Sequence, residues 1–231
     1  AFISLSLGLS DMREIVGQAQ GAAAAFATAG FASAYAPELK ILGTVATGIP
    51  FSGKPKDGKV VYRSTRAEQE KVDPSIAYIL YIAAIANQSQ PRLAADAVLT
   101  EKGLAAMKEA ETTCVGQMFD VVEREKLSWI NTFKADFMSC YATTFGEGEF
   151  PTLKIATPVF IGTGGADRDA PTKLQQELVK QACAAGSTIE AHTYPGLDHS
   201  QTVNQSFKDS RLFARKLIAG ESVTGNCPAA N

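Results

Sequence analysis

The chain has 231 residues, of which 45% are hydrophobic and 20% charged, with a formal net charge of −2. That length and composition suffice for a large buried core, and the charge balance argues against a nucleic acid as partner. No apolar stretch reaches the ~18 residues that a membrane span requires.

Ala1 to Ser10 reads as a ragged entry; it lacks the basic start and cleavage pattern of a signal peptide. Met12 to Val16 follows as the end of a strand. The run Gly17-Gln18-Ala19-Gln20-Gly21 then has the spacing of a sharp turn between a strand and a helix, where flanking glycines admit close backbone approach. Ala22 to Ala36 is alanine-rich and uncharged, as a helix buried against a sheet should be. In the nucleophile elbow that this frame matches, the middle position carries a reactive hydroxyl. Ala19 has no oxygen there.

Ile41 to Gly48 reads as a buried strand, followed by a loop containing Pro50, Gly53, Pro55 and Gly58. The basic run Lys54, Lys56, Lys59, Arg63 and Arg66 is interleaved with Asp57 and followed by Glu68, which marks a solvated face. Beyond the short strand signal Val60-Val61-Tyr62, helical patterns dominate as far as about Phe150. Helices are expected over Ser75–Gln88, Leu93–Ala110 and Glu123–Phe137, the last carrying the only tryptophan, Trp129. Tyr78 and Tyr81 lie on an apolar helix and are assigned to its core rather than to a substrate wall.

Strand character returns at Thr157-Pro158-Val159-Phe160-Ile161-Gly162, a short apolar run suited to a buried parallel strand. Asp167 follows in the loop, and Pro171 opens an amphipathic helix with Leu174, Leu178, Val179 and Ala182. Loops at the carboxyl ends of parallel strands are where α/β folds place functional groups. Thr188 to Tyr194 alternates like another strand and ends at Pro195-Gly196, with His199 in the loop beyond.

Only two histidines are present, so the choice of a base is narrow. An imidazole can accept and return a proton near neutrality, and a carboxylate can fix its tautomer. His192 lies within a strand and is read as structural; His199 is the candidate base. Asp167 is preferred as the acid over Asp169, which is farther from the strand end, and over Asp198, which adjoins His199 in sequence. The four cysteines allow three pairings. Cys183 is expected to pair with Cys227 and Cys114 with Cys140, in keeping with an oxidising compartment. No metal site or cofactor is expected, since neither a Cys-x-x-Cys pair nor clustered histidines occur.

These residues resemble the secretory lipase family of the lipase A type, a branch of the α/β-hydrolases, and specifically its bacterial members. The likeness rests on the turn at Gly17–Gly21, on Tyr35-Ala36-Pro37-Glu38-Leu39-Lys40 leading into Ile41-Leu42-Gly43, and on Leu99-Thr100-Glu101-Lys102-Gly103. It continues through the Gly165-Ala166-Asp167 loop with Pro171, and Tyr194-Pro195-Gly196 before His199. The order elbow, acid, histidine is also the order of that fold.

The resemblance implies a secreted carboxylic ester hydrolase of a lipid or small-molecule ester. A serine would stand at position 19, Asp167 and His199 would complete the triad, and the Gln20 N–H would bind the oxyanion. It implies an α/β fold, the C-terminal portion of an α/β-hydrolase sheet: residues 1–50 and 151–231 forming the core, and 51–150 a helical cap insertion. With only 18 residues before Ala19, the elbow strand is expected to be an uncovered edge, completed by an N-terminal segment or a second chain. Ala19 marks the chain as an inactivated variant. A natural pseudoenzyme that binds an ester-like ligand, or a peptidase or amidase on the same triad, are the alternatives.

Overall fold

The computed structural model describes residues 3–5, 12–51, 65–89, 95–134, 140 and 150–227. The described chain divides into two compact units, one formed by Ala1–Gly53 with Phe150–Asn231 and the other by Lys54–Glu149.

The first unit is built on a five-stranded sheet in the order β1-β2-β3-β4-β5. Its strands are β1 (Ile3–Leu5), β2 (Met12–Gln18), β3 (Lys40–Thr47), β4 (Val159–Gly164) and β5 (Ile189–Tyr194). β2 to β5 are mutually parallel and β1 is antiparallel to β2. The elbow strand is therefore not bare, contrary to the expectation from its position near the start of the chain: Ile3–Leu5 pairs with Glu14–Val16 along its outer side.

Alternation along the central strands sends side chains into two apolar layers. On one face, Ala46 and Ile161 pack with Phe26 of α1 (Gln20–Tyr35) and with Leu178 and Ala182 of α8 (Thr172–Ala184). On the other, their neighbours Val45 and Phe160 meet Phe213 and Leu217 of α9 (His199–Ile218). Every residue of β4 is buried, which is why its sequence is a continuous apolar run rather than an alternating one.

The last strand is closed by the chain's own tail. Asn226 imitates a neighbouring strand: its backbone N–H donates to the Ile189 carbonyl at 2.9 Å, its side chain accepts from the Ala191 N–H at 2.7 Å, and its amide donates to the Ala191 carbonyl at 2.8 Å. A disulfide between Cys183 and Cys227 ties the same tail to α8. An exposed edge would otherwise offer a template for pairing with another chain.

The second unit is helical: α2 (Arg66–Gln69), α3 (Ile76–Ser89), α4 (Ala95–Val98), α5 (Glu101–Ala110), α6 (Val115–Arg124) and α7 (Trp129–Thr132). Ile76, Leu80, Val98, Leu99, Met118, Val122 and Leu127 form its core. Two helices expected from periodicity are broken. The segment from Leu93 to Ala110 is interrupted at Leu99, which bridges to Phe133, and Thr100 caps α5 by accepting from the Gly103 N–H. The one expected from Glu123 is likewise split: α6 begins earlier, at Val115, Lys126 turns to φ 50°, and Ser128 starts α7 with a capping box to Asn131. Caps satisfy backbone donors that a continuous helix would not need to offer, so apolar spacing alone runs past them.

Tyr78 meets Phe119 edge-on at 5.6 Å and the Tyr81 hydroxyl donates to the Thr113 carbonyl, so both tyrosines are partnered within this unit. Cys114 and Cys140 are free thiols, correcting the pairing expected for them: Cys114 stands exposed at the cap of α6, while Cys140 packs against the helical core. Arg66 pairs with Glu70 across an exposed turn. The other members of its basic run lie outside the described residues, as does Val60–Tyr62. Among the described residues no helix is long and apolar enough to cross a membrane.

Candidate active site

The site is assembled at the carboxyl ends of β2, β3, β4 and β5. β2 runs directly into α1 through a single residue, Ala19, which has φ 53° and ψ −124°. That left-handed conformation is uncommon and costly for a residue with a Cβ. The flanking glycines make the turn possible, since a Cβ on Gly17 would lie 1.9 Å from the Gly21 carbonyl oxygen. The turn is also anchored sideways: the Ala19 N–H donates to the Thr47 carbonyl of β3 at 2.9 Å, and the Ala19 carbonyl accepts from Ala22 at 2.9 Å. Gln20 is the first residue of α1, so its N–H belongs to the opening turn, whose donors have no intrahelical acceptor.

Asp167 and His199 arrive from the other side. Asp167 follows β4 in a tight loop and its side chain is fully shielded from solvent. Its Oδ1 accepts from the backbone N–H groups of Asp169 (3.0 Å) and Ala170 (2.9 Å), and its Oδ2 from Gln175 Nε2 (3.0 Å). His199 Nδ1 lies 2.8 Å from the same Oδ2. A carboxylate can only accept, so the Nδ1 proton is fixed there and the Nε2 lone pair is left free to act as a base.

His199 does not stand in a loop, as its neighbourhood of glycine and proline suggests; it is the first residue of α9. The helix start holds it in place. Asp198 is the N-cap, accepting from the Gln201 N–H at 2.8 Å while Gln201 returns a bond to the Asp198 N–H. That carboxylate is thereby committed to the cap. Asp169 is exposed, and its contact with the pair runs through its backbone. His192 stays within β5, its Nε2 3.2 Å from Glu190 and its ring stacked on Phe160 at 5.1 Å.

Gly48 joins the two arms. It follows Thr47, which receives the Ala19 N–H, and it sits against the imidazole: a Cβ there would be 2.9 Å from His199 Cε1 and 3.0 Å from Nδ1. Its φ of 61° also favours glycine. Neither Gly48 nor Gln175 was singled out by sequence reasoning. Gly48 reads as an ordinary strand end. Gln175 stands where the buried stripe of α8 begins, Gln175, Leu178, Val179 and Ala182 all being buried while Leu174 is only partly so. A glutamine leading an apolar stripe is the signal that could have found it.

No family model and no characterised relative matches the sequence. Solved structures do match. Candida antarctica lipase A in its closed state superposes with a TM-score of 0.70 at 21% identity, over 95% of this chain and 52% of that one. The rice cell wall degrading esterase LipA from Xanthomonas oryzae superposes with a TM-score of 0.67 at 13% identity, over 93% of this chain and 60% of that one. The fold is therefore α/β, that of these lipase and esterase structures, and the chain spans between about half and three fifths of their length.

Proposed function

We propose that this site is that of a serine ester hydrolase whose nucleophile position is occupied by Ala19. The observation that carries the reading is the strained conformation at Ala19 (φ 53°, ψ −124°), set between two close-approaching glycines at the sheet end where Asp167 and His199 are paired. An alanine gains nothing from such a backbone; a nucleophile displayed at the head of a helix does.

With serine at position 19, its Oγ would attack the ester carbonyl while His199 Nε2 takes the hydroxyl proton. Asp167 would hold the tautomer and stabilise the imidazolium. The oxyanion of the tetrahedral intermediate would meet the Gln20 N–H at the start of α1, where the helix dipole adds to the attraction. Collapse would break the carbon–oxygen bond, His199 returning its proton to the leaving alcohol. Water, deprotonated by the same imidazole, would then hydrolyse the acyl-enzyme. The chain with Ala19 can bind an ester but cannot form the acyl intermediate.

Within this reading the chain is a bacterial lipase A type protein of the secretory lipase family. The lipase and esterase neighbours and the quoted motifs support that assignment, and the disulfide supports an oxidising compartment. Asp167, His199, the Gln20 N–H and position 19 are its working parts, and the helical insertion at 51–150 is a cap. The substrate is a lipid or small-molecule ester. The missing hydroxyl favours one second reading, a binding protein that retains an ester-like ligand without turnover.

The test is hydrolysis of p-nitrophenyl esters of graded acyl length by the Ala19→Ser protein in its full-length background. Turnover that appears only with serine, rising by ~10³-fold or more over the alanine form, and covalent labelling of that serine by a fluorophosphonate are the expected results. A folded serine form that neither turns over nor is labelled excludes the hydrolase and leaves the binding reading.

A further inference from the structure

The buried face of α8 is apolar except where it faces the acid. Gln175 is wholly buried at the head of the stripe, and its Nε2 donates both to Asp167 Oδ2 at 3.0 Å and to the Ala170 carbonyl. Both neighbours are acceptors, so the amide can face them only with its NH₂ end. The consequence is a buried Oε1 with no hydrogen-bond partner among the described residues. An unpaired buried carbonyl is unfavourable, and an apolar side chain in this stripe would avoid it.

We infer that Gln175 is a positioning residue of the acid–histidine pair, its amide clamping Asp167 Oδ2 in the direction of His199 Nδ1. This rests on the proposed role of that pair. The carboxylate is gripped on both oxygens: two backbone N–H groups fix Oδ1, and Gln175 is the side chain that shares Oδ2 with the imidazole. The clamp stops rotation of the carboxylate about its terminal bond, so that the imidazole keeps one orientation.

Proton NMR of the chain as it stands, with Ala19, reads this directly, because only two histidines contribute ring signals. Gln175→Met preserves length and burial but removes the donor. The low-field Nδ1 proton of His199 is expected to shift and to exchange faster with solvent, while the signals of His192 stay in place. In the Ala19→Ser form the same change is expected to lower kcat by about tenfold with KM unchanged, as loss of a supporting outer partner does. If Gln175→Met does not fold, Gln175→Leu serves: it suits the buried stripe and carries no donor.

A folded variant whose His199 proton signal and kcat both match the parent, with only the melting temperature lowered, overturns the inference and leaves Gln175 as a tie between α8 and Ala170. The failure of the hydrolase reading looks different. There the Ala19→Ser protein is inactive on every ester while Gln175→Met still moves the His199 signal.

Discussion

Two carboxylates of the sheet unit, Glu14 on the elbow strand and Asp167 after β4, have opposite surroundings. Asp167 is completely shielded yet fully partnered, with donors from Asp169, Ala170, Gln175 and His199 converging on its two oxygens. Glu14 is half-buried, its Oε1 is shielded without any partner among the described residues, and desolvation pushes its pKa up to about 7. The same division separates the two arms of the site. The acid–histidine arm is held by hydrogen bonds at every step. The elbow arm stores its free energy the other way, in a strained backbone at Ala19 and an uncompensated carboxyl five residues earlier on the elbow strand, at Glu14. Burial by itself decides neither fate; the supply of donors does.

Gly48 is where the two arms meet, and a change there should be the most damaging. Gly48→Ala would force a Cβ to within 2.9 Å of His199 Cε1 and add a side chain at φ 61°. The left-handed conformation and the overpacking together should destabilise the fold by about 2–4 kcal/mol, measurable by urea unfolding. In the Ala19→Ser background the displaced imidazole should lose ~10²-fold in kcat. An unchanged stability would mean that the ring can move aside freely, and that the histidine arm is less fixed than its bonds suggest.

Glu14 offers a pH-dependent contrast. Its folded pKa, about 7, lies above the ordinary glutamate value of 4.5, so between these values the folded state holds a proton that the unfolded chain has released. Stability therefore falls as pH rises through about 4.5 to 7, and the loss persists above it. Glu14→Gln should remove that slope, matching the parent near pH 4.5 and exceeding it above pH 7. Because the side chain is only half-buried, solvent screening limits the gain to about 1–2 kcal/mol. Unfolding measured from pH 4.5 to 8 decides it; parallel curves for parent and variant would show that the carboxylate finds a donor after all.

How much of this was legible beforehand follows the reach of each interaction. The elbow is local: glycine spacing, a strand before and an alanine-rich helix after are all written within about 25 residues of one another. The placement of Asp167 and His199 also has local signs, a strand end and a glycine-rich loop, and the scarcity of histidine narrowed the choice. The pairing of Cys183 with Cys227 is a consequence of a helix and a tail meeting across β5. By contrast, the need for glycine at 48 comes from a ring 151 positions later in the sequence, and the role of Gln175 from a carboxylate across a loop. The first lies beyond any local window of sequence; the second lies only eight positions from its partner but depends on which way the helix turns its face. The helix breaks at Leu99 and Lys126 failed for another reason: apolar spacing continues across them, and what ends each helix is a side-chain cap and a distant bridge.

The smallest expected effect is the one that isolates the elbow. If the turn exists to display a side chain, its strain at residue 19 is present with alanine and would vanish with glycine, which adopts φ 53° without penalty. Relief of a single such residue is worth ~1–3 kcal/mol, and the greater freedom of glycine in the unfolded chain takes back ~0.5–1 kcal/mol. Ala19→Gly should therefore stabilise the protein by about 1 kcal/mol, an increase of ~2–4 °C in melting temperature for a chain of this size. The gain should leave the His199 signals unaltered, since the Ala19 N–H to Thr47 bond uses backbone alone. A loss of stability instead would mean that the methyl group of Ala19 packs favourably enough to outweigh its backbone strain. The alanine would then be a structural residue in its own right, and the elbow arm would no longer be the strained counterpart of the acid–histidine arm.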